Sequence, residues 1–202
     1  MIPINLLIED ALSQGMASVL MNGSGQKYDV KTLYANGGFG YIKSNIRKFN
    51  QAATYCPYFV MTDLDTLPCA SLLRDQWFSG DTPHVNMIFR VAIREVEAWV
   101  LADREKFAQF LGIKVNLIPT DIEAIKDPKA TLISLAQRSR FRILREKIVP
   151  DISIGAQQGP DYNGALISFL RSEWRLTTAM NNSPSLKRAL NQLRNFKPTW
   201  RS

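Results

Sequence analysis

Tyr58-Phe59-Val60-Met61-Thr62-Asp63-Leu64-Asp65 is the stretch on which the fold turns. Its first four residues are apolar and include β-branched and aromatic types, and the run ends directly on two aspartates one residue apart. An unbroken apolar strand is what a sheet covered on both faces requires, and such sheets are mostly parallel. In open parallel sheets the functional groups gather at the carboxyl ends of the strands. Asp63 and Asp65 stand at such an end.

Working towards the N-terminus, Lys43–Ala53 reads as a partly basic helix behind a Gly-rich turn of Asn36, Gly37, Gly38 and Gly40, and Tyr28–Tyr34 as a strand before that turn. Ile4–Ile8 is another short apolar run. It ends at Glu9 and is followed by Leu12, Met16, Val19 and Leu20 near helical spacing. Towards the C-terminus, Pro68 suits the start of a helix over Cys69–Trp77, Val85–Ala92 is a fourth strand, and helical material begins at Glu95. Strands alternating with helices in this way predict βαβ units. The expected fold is therefore α/β, with a mostly parallel four-stranded sheet flanked by helices over residues 1–103. Residues 104–202 are expected to form a basic, mainly helical extension packed on it, with Leu166, Leu170 and Trp174 on one helix face and Leu186, Leu190 and Leu193 on another behind Ser183-Pro184.

The chain of 202 residues is long enough to bury an ordinary core. Cys56 and Cys69 make no zinc-ligand spacing with each other or with the single histidine, His84, so reduced thiols in a cytoplasm are expected. No apolar run approaches the about 18 residues of a membrane span, and no signal-peptide pattern opens the sequence. The net charge of +7 is uneven: residues 1–101 carry 8 basic against 9 acidic side chains, and the remainder 17 against 9. A basic half joined to a half with clustered carboxylates suits a polyanionic substrate; a merely solvated basic surface is the competing reading.

Two aspartates at one strand end repel each other unless water or a cation offsets their charge. A hard divalent ion with oxygen ligands does so, and magnesium or manganese held by one or two carboxylates keeps waters for a phosphate to replace. Glu9, at the end of the first strand, belongs in the same set. The alternative is that Asp63 and Asp65 serve as turn and helix-cap residues. Glu95 and Glu97 follow the fourth strand, where they either share an extended face and complete a second metal position or occupy a helix N-terminus. Lys129, Arg138, Arg142 and Arg145 are the cationic candidates for phosphate contact, the last three spaced for one helical face, where a solvated face is the other possibility. Tyr162 is placed either to stack on a base or to cap its Gly-Pro turn, and His84 is read as structural. No Ser/His/Asp triad, P-loop or dinucleotide fingerprint is present in the sequence.

An apolar strand ending in Glu9, followed by one ending in Asp63-Leu64-Asp65, resembles the Toprim domain of topoisomerases, bacterial primases and nucleases of the overcoming-lysogenization-defect type. Asp10 stands where many members carry glycine. A wider resemblance, to uncharacterised Toprim-like proteins encoded near ATPases in bacterial defence loci, runs through Leu6-Leu7-Ile8-Glu9, Asp63-Leu64-Asp65, Arg94-Glu95-Val96-Glu97-Ala98-Trp99, Leu101-Ala102-Asp103, Asp127-Pro128-Lys129, Gly159-Pro160-Asp161-Tyr162 and Ser183-Pro184-Ser185-Leu186-Lys187-Arg188-Ala189. It implies a magnesium- or manganese-dependent nuclease acting on DNA or RNA, with metal on Asp63, Asp65 and Glu97, Glu9 in metal binding or proton transfer, and an ATPase as partner. A noncatalytic nucleic-acid-binding or regulatory subunit and a small-molecule phosphatase are the alternatives.

Overall fold

The computed structural model describes residues 1–35 and 37–200, so Asn36 of the Gly-rich turn lies outside the described residues. Four strands form one sheet: β1 (Ile2–Leu7), β2 (Tyr28–Tyr34), β3 (Tyr58–Asp63) and β4 (Met87–Ala92), in the order β2-β1-β3-β4 and parallel at every pairing. Between them run the helices α1 (Ala11–Gly23), α2 (Gly38–Ala52) and α3 (Ala70–Phe78). After β4 come α4 (Val96–Leu101), α5 (Arg104–Leu111), α6 (Pro128–Gln137), α7 (Arg142–Ile148), α8 (Tyr162–Ser172), α9 (Leu176–Asn182) and α10 (Pro184–Asn195). No helix of the described residues is long and apolar enough to cross a membrane.

Strand side chains alternate between two apolar layers, as pleating requires. Ile4, Leu6, Phe59, Met61, Ile88 and Ala92 face one layer, where they meet Leu12, Met16 and Leu20 of α1 together with apolar side chains of α8 and α10. Leu7, Tyr58, Val60, Met87 and Phe89 face the other, against Ile42 and Ile46 of α2 and Leu73, Trp77 and Phe78 of α3. The helices after residue 104 therefore share a core with one face of the sheet. Each fully buried Leu or Phe in these layers contributes about 2–3 kcal/mol of transfer free energy, against the entropy of ordering the chain.

The helix starts follow side-chain chemistry. Asp10 caps α1 by accepting from the Ser13 amide at 2.8 Å, Asp127 caps α6 from the Ala130 amide at 2.7 Å with Pro128 behind it, and Ser183 caps α10 ahead of Pro184. Each such cap stabilises its helix by about 1 kcal/mol. Asp103, fully buried at the start of α5, holds the Arg175 guanidinium through both carboxylate oxygens at 2.8 and 3.0 Å and so locks α5 to α9. The Trp99 indole N–H donates to Ser185 Oγ at 2.8 Å, and Glu123 accepts from the Ser183 hydroxyl and the Ser185 amide, both at 2.7 Å. The Glu-Ala-Trp and Ser-Pro-Ser segments thus brace α4 against α10.

Four expectations need correction. Helix α2 begins at Gly38 with Gly37 as its N-cap residue, so Gly38 and Gly40 of the expected turn lie in the helix. Strand β4 starts at Met87, because His84 takes the Asn86 amide on Nδ1 at 3.1 Å and its carbonyl takes the Met87 amide at 2.8 Å, closing a turn that leaves Val85 exposed. Trp174 lies beyond α8, which ends at Ser172. The sheet is also not covered everywhere: β2, at one edge, keeps Val30 and Leu33 about 40% exposed, 42% and 40% respectively.

Candidate metal centre

The carboxyl ends of β1, β3 and β4 lie side by side, and they bring Glu9, Asp63, Asp65, Glu95 and Glu97 to one rim of the sheet. Glu9 follows β1 with its side chain directed across to β3. Its Oε1 accepts from the Thr62 hydroxyl and from the Asp63 amide, the latter at 2.9 Å. Burial raises its pKa above the ordinary carboxylate value; these two hydrogen bonds oppose the rise, and Asp65 and Asp10 add to it. Asp63 closes β3. Its carboxyl is pushed well above the usual range by burial first and then by the charges of Glu9, Glu97, Asp10 and Asp65.

Two residues on, Asp65 adopts a left-handed backbone with φ 51°, and so does Arg94 with φ 66°. Both conformations are uncommon outside glycine, Asn and Asp, and they are held here by reciprocal bonds. The Asp65 amide donates to the Arg94 carbonyl at 2.8 Å, while Arg94 Nη1 donates to the carbonyls of Asp65 at 3.0 Å and Leu67 at 3.1 Å. This clasp turns the Asp65 side chain out to solvent beside a cleft of about 370 Å³ lined by Asp65, Thr66, Arg94, Glu95, Lys126 and Asp127.

Of the two positions weighed for Glu95 and Glu97, the helix N-terminus is the one occupied. Glu95 is the N-cap residue of α4 and Glu97 lies in its first turn, so they do not share a strand face. Glu95 Oε2 accepts from the Lys129 amide at 2.8 Å, a carboxylate placed at the start of α6. Glu97 is 5% exposed, and its Oε1 accepts from the Tyr162 hydroxyl at 2.9 Å. Burial, followed by repulsion from Glu95, raises Glu97 to about 7. Lys129 Nζ sits 5.4 Å from the Tyr162 ring centre, over its face. Tyr162 therefore buttresses a carboxylate and a lysine, a role neither stacking nor turn capping anticipates. Gly159 makes that placement possible: a Cβ there would lie 2.2 Å from the Lys147 carbonyl oxygen, and the Gly159 amide donates to Ile148 O at 3.1 Å.

Neither a protein-family model, nor a curated protein, nor a solved structure matches this chain. What the rim can do follows from its atoms. Glu9, Asp63, Asp65 and Glu97 offer oxygen donors only, the chemistry that suits magnesium or manganese. Among the described residues, no three His, Cys, Asp or Glu side chains are positioned as they stand to hold one ion. Glu9 and Glu97 each have one oxygen engaged by the protein, and Asp65 is exposed. Each engaged carboxylate keeps its second oxygen.

The expected row of Arg138, Arg142 and Arg145 on one helix is broken. Arg138 is the C-cap residue of α6 and Arg142 opens α7. Between them the buried Ser139 hydroxyl donates to the Leu111 carbonyl at 2.7 Å and accepts from the Phe141 amide at 3.1 Å, which turns the chain. Arg142 pairs with Glu146 at 2.6 Å, and Arg145 donates to the Ser139 carbonyl. Of the cationic candidates, only Lys129 stands at the carboxylate rim. Residues absent from the expected set are Thr62, which orients Glu9, and Arg94, which shapes the Asp65 turn; neither carries a local sequence signal, since both act through residues about 30 to 50 positions away.

Glu97 also fixes a pH dependence. In the unfolded chain it ionises near 4.5, whereas in the folded chain it does so at about 7. Between these values the folded state holds a proton that the unfolded state has lost, so stability from this group is present at low pH and is lost as pH rises through 7. At pH 8 the expected penalty is about 3 kcal/mol. The melting temperature of the metal-free protein is therefore expected to fall from pH 5 to pH 8, and Glu97→Gln, whose amide oxygen still accepts from Tyr162, should flatten that fall. Melting curves in chelator check it; an equal slope in parent and variant would remove Glu97 as the cause.

Proposed function

We propose that this chain is a divalent-metal-dependent phosphodiesterase acting on DNA or RNA, as its Toprim-like sequence features imply. The observation that carries the proposal is the rim of five carboxylates, Glu9, Asp63, Asp65, Glu95 and Glu97, at three adjacent parallel strand ends, with burial and mutual repulsion raising Asp63, and with a lysine beside them. Asp63, Asp65 and Glu97 are the residues that would hold magnesium or manganese. Such an ion supplies charge neutralisation at a phosphate and a bound water of lowered pKa. Glu9 is within reach of the same locus, where it either adds a ligand or moves a proton. Its tie to Thr62 and the Asp63 amide fixes it in place for either role. Lys129, beside Glu95 and Glu97, is positioned to meet a phosphate oxygen, and Tyr162 keeps Glu97 oriented.

A second reading, a noncatalytic nucleic-acid-binding or regulatory subunit serving an ATPase partner, is favoured by the internal hydrogen bonds that already occupy one oxygen each of Glu9, Glu95 and Glu97. Incubation of the purified chain with labelled DNA, labelled RNA and small phosphoesters, in magnesium, manganese or chelator, separates the two. Metal-dependent cutting of nucleic acid is expected. Binding without cutting in every metal would favour the subunit reading, and turnover of small esters alone would move the assignment to a phosphatase.

A further inference from the structure

Strand β4 is an edge of the sheet, and its open side is flanked by α3 on one face and α10 on the other. Together they wall a groove of about 270 Å³. Arg90 interrupts the otherwise apolar strand Met87–Ala92 and lies on the α10 side, where its Nε donates to Gln192 Oε1. Among the described residues its two terminal nitrogens have no protein acceptor. Arg188 is one helical turn before Gln192 on α10, and Arg74 lines the opposite wall from α3. Among the described residues neither Arg90 nor Arg188 forms an ion pair with a carboxylate, and no acidic side chain lines the groove.

Two guanidinium groups brought together, one of them partly desolvated, repel each other unless an anion is shared between them. Burial and the Arg188 charge accordingly hold Arg90 below its ordinary pKa. Guanidinium forks suit phosphate oxygens. The apolar floor of Phe89, Val91 and Ile93 suits the sugar and base that accompany a phosphate in a single strand. At its far end Ile93 is followed by Arg94, which lines the cleft holding Asp65 and Glu95.

We propose that the groove along the open edge of β4 binds the backbone phosphates of a single-stranded nucleic acid, with Arg90 and Arg188 as the phosphate contacts. Its continuity with the carboxylate rim places the flanking phosphates of a substrate, a placement that rests on the phosphodiesterase reading; the binding itself does not. The test is fluorescence anisotropy of labelled single-stranded DNA and RNA oligonucleotides in chelator, across a salt series, with the full chain. Arg90→Gln combined with Arg188→Gln is expected to weaken binding at least tenfold and to make the logarithmic salt slope shallower by about 1.4, from about 0.7 per lost contact. Arg138→Ala, Arg142→Ala and Arg145→Ala together are expected to stay within about twofold of the parent.

Arg188→Glu, at an exposed position of α10, should weaken binding at least as much and keeps the test decisive if the Arg90 change impairs folding. Parent-like affinity and salt slope in folded Arg188→Glu would overturn the proposal and leave these arginines as protection of an edge strand. A larger loss in the triple variant would overturn it too, as would the absence of any oligonucleotide binding at low salt. Oligonucleotide binding that Arg188→Glu weakens, in a protein that cuts nothing in magnesium or manganese, would sustain the groove and sink the phosphodiesterase reading.

Discussion

Asp63→Asn is expected to abolish metal-dependent cleavage while raising the melting temperature of the metal-free protein. The two effects share one cause. Asp63 sits at the centre of the rim, where burial and the charges of Glu9, Glu97, Asp10 and Asp65 all disfavour its ionised form. An uncharged asparagine of the same shape relieves that repulsion in the metal-free protein and also removes the anionic donor an ion would need. Asp65→Asn should likewise remove cleavage, with a smaller gain in stability, because its side chain is exposed and asparagine tolerates the left-handed backbone at this turn. Cleavage assays, magnesium calorimetry and melting curves on both variants check the expectation. Normal cutting, or magnesium binding equal to the parent's, would show that the aspartates only shape the strand end.

The second large effect belongs to Glu9. Glu9→Gln is expected to lower turnover at least about a hundredfold, the scale of a lost acid-base group, because the substitution removes charge and proton chemistry and little else. A glutamine oxygen can still accept from the Thr62 hydroxyl and the Asp63 amide, so the tie between β1 and β3 survives. Asp10→Asn is the matched control. Asparagine caps a helix as well as aspartate does, and the bond from the Ser13 amide is kept, so both turnover and stability should stay close to the parent's. Severe loss in Asp10→Asn beside normal cleavage in Glu9→Gln would mean that the functional carboxylate is one residue further on, and normal cleavage in both would leave Glu9 as a cross-strand tie alone.

The pH dependence assigned to Glu97 bears on both experiments, since a metal-free rim that binds protons at neutral pH also binds metal less readily there. Metal affinity measured at pH 6 is expected to be lower than at pH 8 for the same reason.

The sequence by itself determined where the strands β1 and β3 lie and where several helices begin. Short apolar runs ending on Glu9 and on Asp63-Leu64-Asp65 specify strands, and Asp10, Asp127-Pro128 and Ser183-Pro184 specify where helices begin, because strand run length and helix capping depend on residues only a few positions apart. The placing of carboxylates at strand ends was legible for the same reason. The sequence also carried a misleading signal: Arg138, Arg142 and Arg145 have helical spacing, yet Ser139 finds a better partner in the distant Leu111 carbonyl and breaks the helix between them. Tertiary structure alone decided the strand order that makes β4 an edge, the clasp that gives Asp65 and Arg94 left-handed backbones, and the meeting of Glu97 with Tyr162 across 65 positions. It also turned Arg90, visible in the sequence only as a charge inside an apolar strand, towards Arg188 of α10. Such contacts arise from the closing of one apolar core between elements far apart in the chain, and no local pattern encodes which distant side chain will stand opposite.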